Sequence, residues 1–160
     1  MNILTVYYTR SGNTERVVKK IHESLGGDME LISEPKNRKG ILGWLRSGGQ
    51  NSRREVAEIN PSKFDPSGYD LVILASPIWS GAVSAPMRGY MVKNKEKLER
   101  TAVFLSNDSG DVEKALAEIY EILGKPPLVE SSLQGSKIST EFESTVSAFI
   151  DKIKAIQTSE

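Results

Sequence analysis

Apolar residues fall along this chain in two patterns that take turns. Ile3 to Tyr8, Leu71 to Ala75 and Ala102 to Leu105 are short, nearly continuous apolar runs, partly β-branched or aromatic. Strands buried on both faces of a parallel sheet read this way. Met29 to Ser33 alternates more and suits a strand near a sheet edge, and Pro127 to Leu133 is the weakest strand segment. Between the runs, apolar positions recur at spacings of three and four. The sets are Val17, Val18, Ile21 and Leu25; Val83, Met87, Tyr90 and Met91; Val112, Ala115, Leu116, Ile119 and Leu123; and Phe142, Val146, Phe149, Ile150, Ile153 and Ile156. Each predicts an amphipathic helix. Gly26-Gly27, and Gly124 followed by Pro126, mark helix ends, while Thr140 with Glu143 predicts a capping box on the last helix. Alternation of strand and helix predicts one doubly wound α/β domain over residues 1–160, with right-handed crossovers. Pro35 to Asp65 interrupts the alternation; Ile41, Leu42, Trp44 and Leu45 suggest a short amphipathic helix there.

In such a sheet, ligands bind beyond the carboxyl ends of the strands, so the residues after each strand carry the chemistry. Thr9-Arg10-Ser11-Gly12-Asn13-Thr14 follows the first run and opens a helix. Unpaired backbone amides and the positive end of the helix dipole there attract an anion, the hydroxyls of Thr9, Ser11 and Thr14 add donors, and Gly12 lets the backbone turn. Helix caps use the same residue types, so Asn13 or Thr14 as a plain cap is the competing reading. Ser76-Pro77-Ile78-Trp79-Ser80-Gly81 and Ser106-Asn107-Asp108-Ser109-Gly110 follow the two central runs. An anion cradle, a tryptophan and two polar glycine loops at one sheet edge describe a pocket for a phosphate attached to a flat ring. Ser76 and Ser106 read as turn residues, since neither has a histidine partner; His22, the single histidine, reads as a solvated helix position.

Composition narrows the chemistry further. The chain contains no cysteine, which excludes disulfides, thiolate metal sites and cysteine nucleophiles; redox chemistry must come from a bound organic cofactor. The 21 basic and 21 acidic residues balance, which gives no bulk attraction for nucleic acid or an anionic membrane. They are unevenly placed, with Lys36, Arg38, Lys39, Arg46, Arg53 and Arg54 in an acid-free stretch. No apolar stretch approaches ~18 residues, so a cytoplasmic protein without a membrane partner is expected. Other phosphate sites fail on particular residues. A nucleoside-triphosphate loop needs a lysine where Asn13 stands, a dinucleotide fingerprint needs more glycines than Gly12, and a phosphoacceptor receiver needs an aspartate where Ser76 stands.

These motifs resemble the flavodoxin family, whose phosphate loop has the form Thr/Ser-x-Thr/Ser-Gly-Asn-Thr. The resemblance implies a five-stranded parallel sheet in the order 2-1-3-4-5, helices on both faces, and FMN at the switch point. It further implies that Thr9, Ser11, Asn13 and Thr14 hold the FMN phosphate, with Gly12 permitting the turn and Arg10 giving its backbone amide. Pro77, Ile78, Trp79, Ser80 and Gly81 would flank the ring, and Ser106, Asn107, Ser109 and Gly110 would meet its pyrimidine edge. Flavodoxins often place a second aromatic in the later loop and carry a strong negative charge. This chain does neither, which leaves the flavin's second face open, or covered by Trp44 or Tyr120. The implied activity is electron carriage between a donor reductase and an acceptor protein. An NAD(P)H-dependent reductase of quinones or flavins is the alternative, supported by the basic Lys36 to Arg54 stretch. Either a monomer or a homodimer is compatible.

Overall fold

The computed structural model of this chain describes residues 1–35, 55–107 and 111–158. Among these residues, six strands form one sheet: β1 (Ile3–Tyr7), β2 (Asp28–Leu31), β3 (Leu71–Trp79), β4 (Ala82–Val83), β5 (Thr101–Asn107) and β6 (Val129–Gln134). They run β2-β1-β3-β5-β6, with β4 folded back on β3. All pairings along that path are parallel; β3 with β4 is antiparallel. The predicted five-strand order therefore needs a correction: the short β4 enters the count after β3, because β3 runs on to Trp79 and doubles back. The two strand segments with the least continuous apolar character, in β2 and β6, lie at the sheet edges, where one side of each strand has no strand to pack beside.

Among the described residues, four helices cover the two faces: α1 (Asn13–Leu25), α2 (Ala85–Asn94), α3 (Val112–Leu123) and α4 (Ile138–Thr158). Successive strand side chains point to opposite faces, and two cores result. Ile3 and Tyr7 of β1, with Leu71 and Ile73 of β3, pack against Val17, Val18 and Ile21 of α1 and Val146, Phe149 and Ile150 of α4. Leu4 and Val6, with Val72 and Leu74, meet Met87, Tyr90 and Met91 of α2 and Ala115, Ile119 and Leu123 of α3. Phe104 meets Phe149 edge to face at 5.3 Å.

Three local expectations are corrected. Val83, grouped with the second helix by its spacing, is in β4. Thr140 lies inside α4, which begins at Ile138 directly from a turn over Gly135–Lys137; its hydroxyl donates to the Lys137 carbonyl, so no capping box forms. His22 is half-buried rather than solvated, with Nδ1 screened from water. The basic residues from Lys36 to Arg54, and the helix suggested around Trp44, lie outside the described residues. No helix among the described residues is long and apolar enough to cross a membrane.

Candidate functional site

Parallel pairing brings the carboxyl ends of β1, β3, β5 and β6 to one sheet edge, and a cleft opens there. Thr9, Arg10, Ser11, Asn13, Thr14, Pro77, Ile78, Trp79, Ser106 and Asn107 line it, together with Gly135 and Ile138. The fold thus draws together residues from all three segments singled out in the sequence.

The phosphate-type loop owes its shape to local bonds. Gly12 caps α1 at φ 94°, a left-handed conformation that disfavours any side chain, and its amide donates to Thr9 Oγ1 at 3.0 Å. The next three amides, on Asn13, Thr14 and Glu15, are the donors a helix cannot satisfy within itself, and none has an acceptor among the described residues. No side chain caps the helix, which removes the plain-cap reading of Asn13 and Thr14. Thr14 is 1% exposed, and its hydroxyl lies 2.8 Å from that of Ser106, 92 positions away. One of these hydroxyls donates to the other, which leaves one O–H for a ligand. Thr9 Oγ1 likewise keeps its own hydrogen after accepting from Gly12. This donor set fits a phosphate: free amides, the hydroxyls of Thr9, Ser11 and the Thr14–Ser106 pair and a helix N-terminus, with no carboxylate among the described residues that line the cleft.

Trp79 ends β3 beside this loop. Tyr8 meets its ring edge to face at 5.4 Å, and the guanidinium carbon of Arg10 lies 5.8 Å from the ring centroid. Ser76 and Ser106, expected in turns, are strand residues: β3 continues to Trp79 and β5 to Asn107. Ser80 at φ 52° and Gly81 at φ 70° then join β3 to β4. Two consecutive positive φ values mark the two-residue hairpin turn whose twist matches its strands. Gly12, Ser80 and Gly81 do not line the cleft themselves; Gly12 faces a groove between α1 and α4, and the other two form the hairpin tip. Ser109 and Gly110 lie outside the described residues. Tyr120 is turned away, its hydroxyl bonded to Glu130 and pushed up to about 12 by that bond and by burial. It does not cover a ring in this cleft.

The fold matches that of known flavoproteins. One from Lactobacillus acidophilus, solved in complex with FMN, has a TM-score of 0.69 at 21% identity, over 86% of this chain and 96% of that one. The chain has the flavodoxin fold. A WrbA-like flavodoxin protein from Agrobacterium tumefaciens aligns over 99% of both chains, with a TM-score of 0.64 at 14% identity. Oxidised flavodoxin 1 from Bacillus cereus covers 96% of this chain and 98% of its own, with a TM-score of 0.55 at 16% identity. No protein-family model matches the sequence, and no curated protein does.

Within this flavodoxin fold, two features escaped the sequence. Gly135 and Ile138 reach the cleft because β6 ends at the same edge as its parallel neighbours; reading one step past that strand, as for the others, finds them. Arg88 and Glu118 are 3% and 4% exposed, with Arg88 Nε 2.5 Å from Glu118 Oε1. The Val83 amide donates to Glu118 Oε2 at 3.0 Å, and Arg88 Nη2 donates to the Val83 carbonyl at 3.1 Å. The pair therefore grips β4 from both sides and holds the hairpin that ends in Trp79, Ser80 and Gly81. Arg88 Nη1 also donates to the Glu55 carbonyl at 2.8 Å. Spacing could not find this pair, since Arg and Glu on separate amphipathic helices ordinarily face water.

Proposed function

We propose that this chain binds FMN and passes electrons through it between protein partners. The observation that carries the reading is the cleft where the amides of Asn13 and Thr14, without acceptors among the described residues, stand beside Trp79. The FMN complex of the Lactobacillus acidophilus flavoprotein supports it. Thr9, Ser11, Asn13 and Thr14 hold the phosphate, and Gly12 lets their loop close. The Arg10 backbone amide joins them. Pro77, Ile78 and Trp79 flank the ring, with Ser80 and Gly81 at its margin. Ser106 and Asn107, followed by Ser109 and Gly110, meet its pyrimidine edge. Bound FMN supplies one- and two-electron redox chemistry; the protein supplies position and electrostatics.

Anaerobic titration of the FMN-loaded protein, followed by absorbance, tests this reading. Two resolved one-electron steps support a carrier. A single two-electron step shifts the reading to an NAD(P)H-dependent oxidoreductase, and failure to quench FMN fluorescence overturns both. Thr14→Val keeps the shape of the buried side chain and removes its hydroxyl. A hydrogen bond to a charged group contributes roughly 1.5 to 3 kcal/mol, so FMN affinity should fall about ten-fold or more. Unchanged quenching midpoints would remove Thr14 from the phosphate site.

A further inference from the structure

We propose that the side chain of Arg10 sets the redox poise of this cleft, raising the reduction potential of a flavin bound there. The proposal rests on the FMN reading above. Among the described residues lining the cleft, Arg10 alone carries a charge. Its guanidinium lies over the Trp79 ring at cation–π distance, 5.8 Å from the centroid. It has no acidic partner among the described residues. Among the described acids, Glu34 accepts from the hydroxyl of Tyr8, whose ring meets Trp79, at 3.2 Å.

Lys114 stands at the hairpin tip instead, outside the cleft. Lys114 Nζ lies 3.9 Å from where a β-carbon on Gly81 would stand, with the Asp111 β-carbon 3.8 Å from the same point. Asp111 and Lys114 thus both stand beside the hairpin tip, whereas no carboxylate is among the described residues that line the cleft with Arg10.

Reduction makes the charge of Arg10 count. Two electrons from the reductant and one proton from solvent enter the flavin, leaving one negative charge on its ring. The guanidinium is tethered to the loop at Thr9-Arg10-Ser11, so a ring that enters beside Trp79 keeps the cation as a neighbour. A nearby cation favours the form that carries the extra negative charge. Attraction to the phosphate is common to both oxidation states, so the ratio of their affinities isolates the effect of Arg10 on the ring.

The test uses the full chain as wild type, Arg10→Gln and Arg10→Lys. FMN uptake is read first, by fluorescence quenching; the midpoint potential is then read at pH 7 against a reference dye. Arg10→Gln should lower the preference for reduced over oxidised cofactor about ten-fold, ~30 mV for a two-electron couple. Arg10→Lys should retain most of the potential, and high salt should narrow the gap between wild type and Arg10→Gln. An unchanged potential in Arg10→Gln, or an equal fall in Arg10→Lys, overturns the assignment. No uptake by the wild type overturns the FMN reading itself and this proposal with it.

Discussion

Glu118→Ala should destabilise the protein by about 3 to 5 kcal/mol, the cost of leaving one partner of a buried ion pair without the other. Arg88 is 3% exposed, so its charge is left buried without its carboxylate, while the Val83 amide loses the bond to Glu118 at the same time. Urea unfolding followed by circular dichroism measures the loss; less than ~1 kcal/mol would show that the pair is solvated in practice. Arg88→Met with Glu118→Leu separates charge from grip. Apolar replacement of both partners is often neutral or better, so the double variant should recover much of the loss. It still deprives Val83 of its bonds to Glu118 and Arg88. The Trp79-to-Gly81 hairpin should then be looser, which amide hydrogen exchange of Ala82 and Val83 would report as faster exchange than in wild type.

Gly27→Ala should be almost as damaging for a different reason. At φ 89°, an added β-carbon would stand 2.2 Å from the Ile3 carbonyl oxygen, a backbone atom fixed in the sheet. A left-handed backbone conformation costs an L-residue about 1 to 2 kcal/mol, and overpacking adds roughly 1 to 3. The sum is about 3 kcal/mol, or a Tm lower by on the order of 10 °C for a chain of this size. Gly124→Ala is the control, since Gly124 has φ 73° and nothing within 4 Å of an added β-carbon. Only the backbone part should appear there. Equal losses at both positions would mean that the Ile3 contact relaxes at no cost.

Much of the architecture was legible because burial is periodic. A strand covered on both faces must be apolar at successive positions, and a helix covered on one face must be apolar at spacings of three and four. Ile3 to Tyr8 and the Phe142 to Ile156 set obey those rules, so element type and the double-wound layering follow from composition along the chain. The same regularity placed Thr9 to Thr14, Trp79 and Ser106 at one sheet edge, since parallel strands all end on that side.

Where elements end was less legible. β3 and β5 overrun their apolar runs because backbone pairing, not side-chain hydrophobicity, decides how far a central strand extends. Pro77 has no amide to give and still holds register with Ser106. The turn at Ser80-Gly81 then creates a sixth strand from Ala82 and Val83, residues whose spacing fits a helix equally well.

Sequence alone determined the alternating elements, the candidate phosphate loop, and the exclusion of cysteine chemistry, because each depends on residues near one another in the chain or on residues absent from it. Tertiary structure decided the rest. The Thr14 hydroxyl reaches Ser106 across 92 positions. Arg88 is buried because Glu118 meets it from another helix, and Arg10 lies over Trp79 because two strands end side by side. Each of these contacts joins segments whose closeness is a property of the sheet, and no local pattern records which distant side chain will stand opposite.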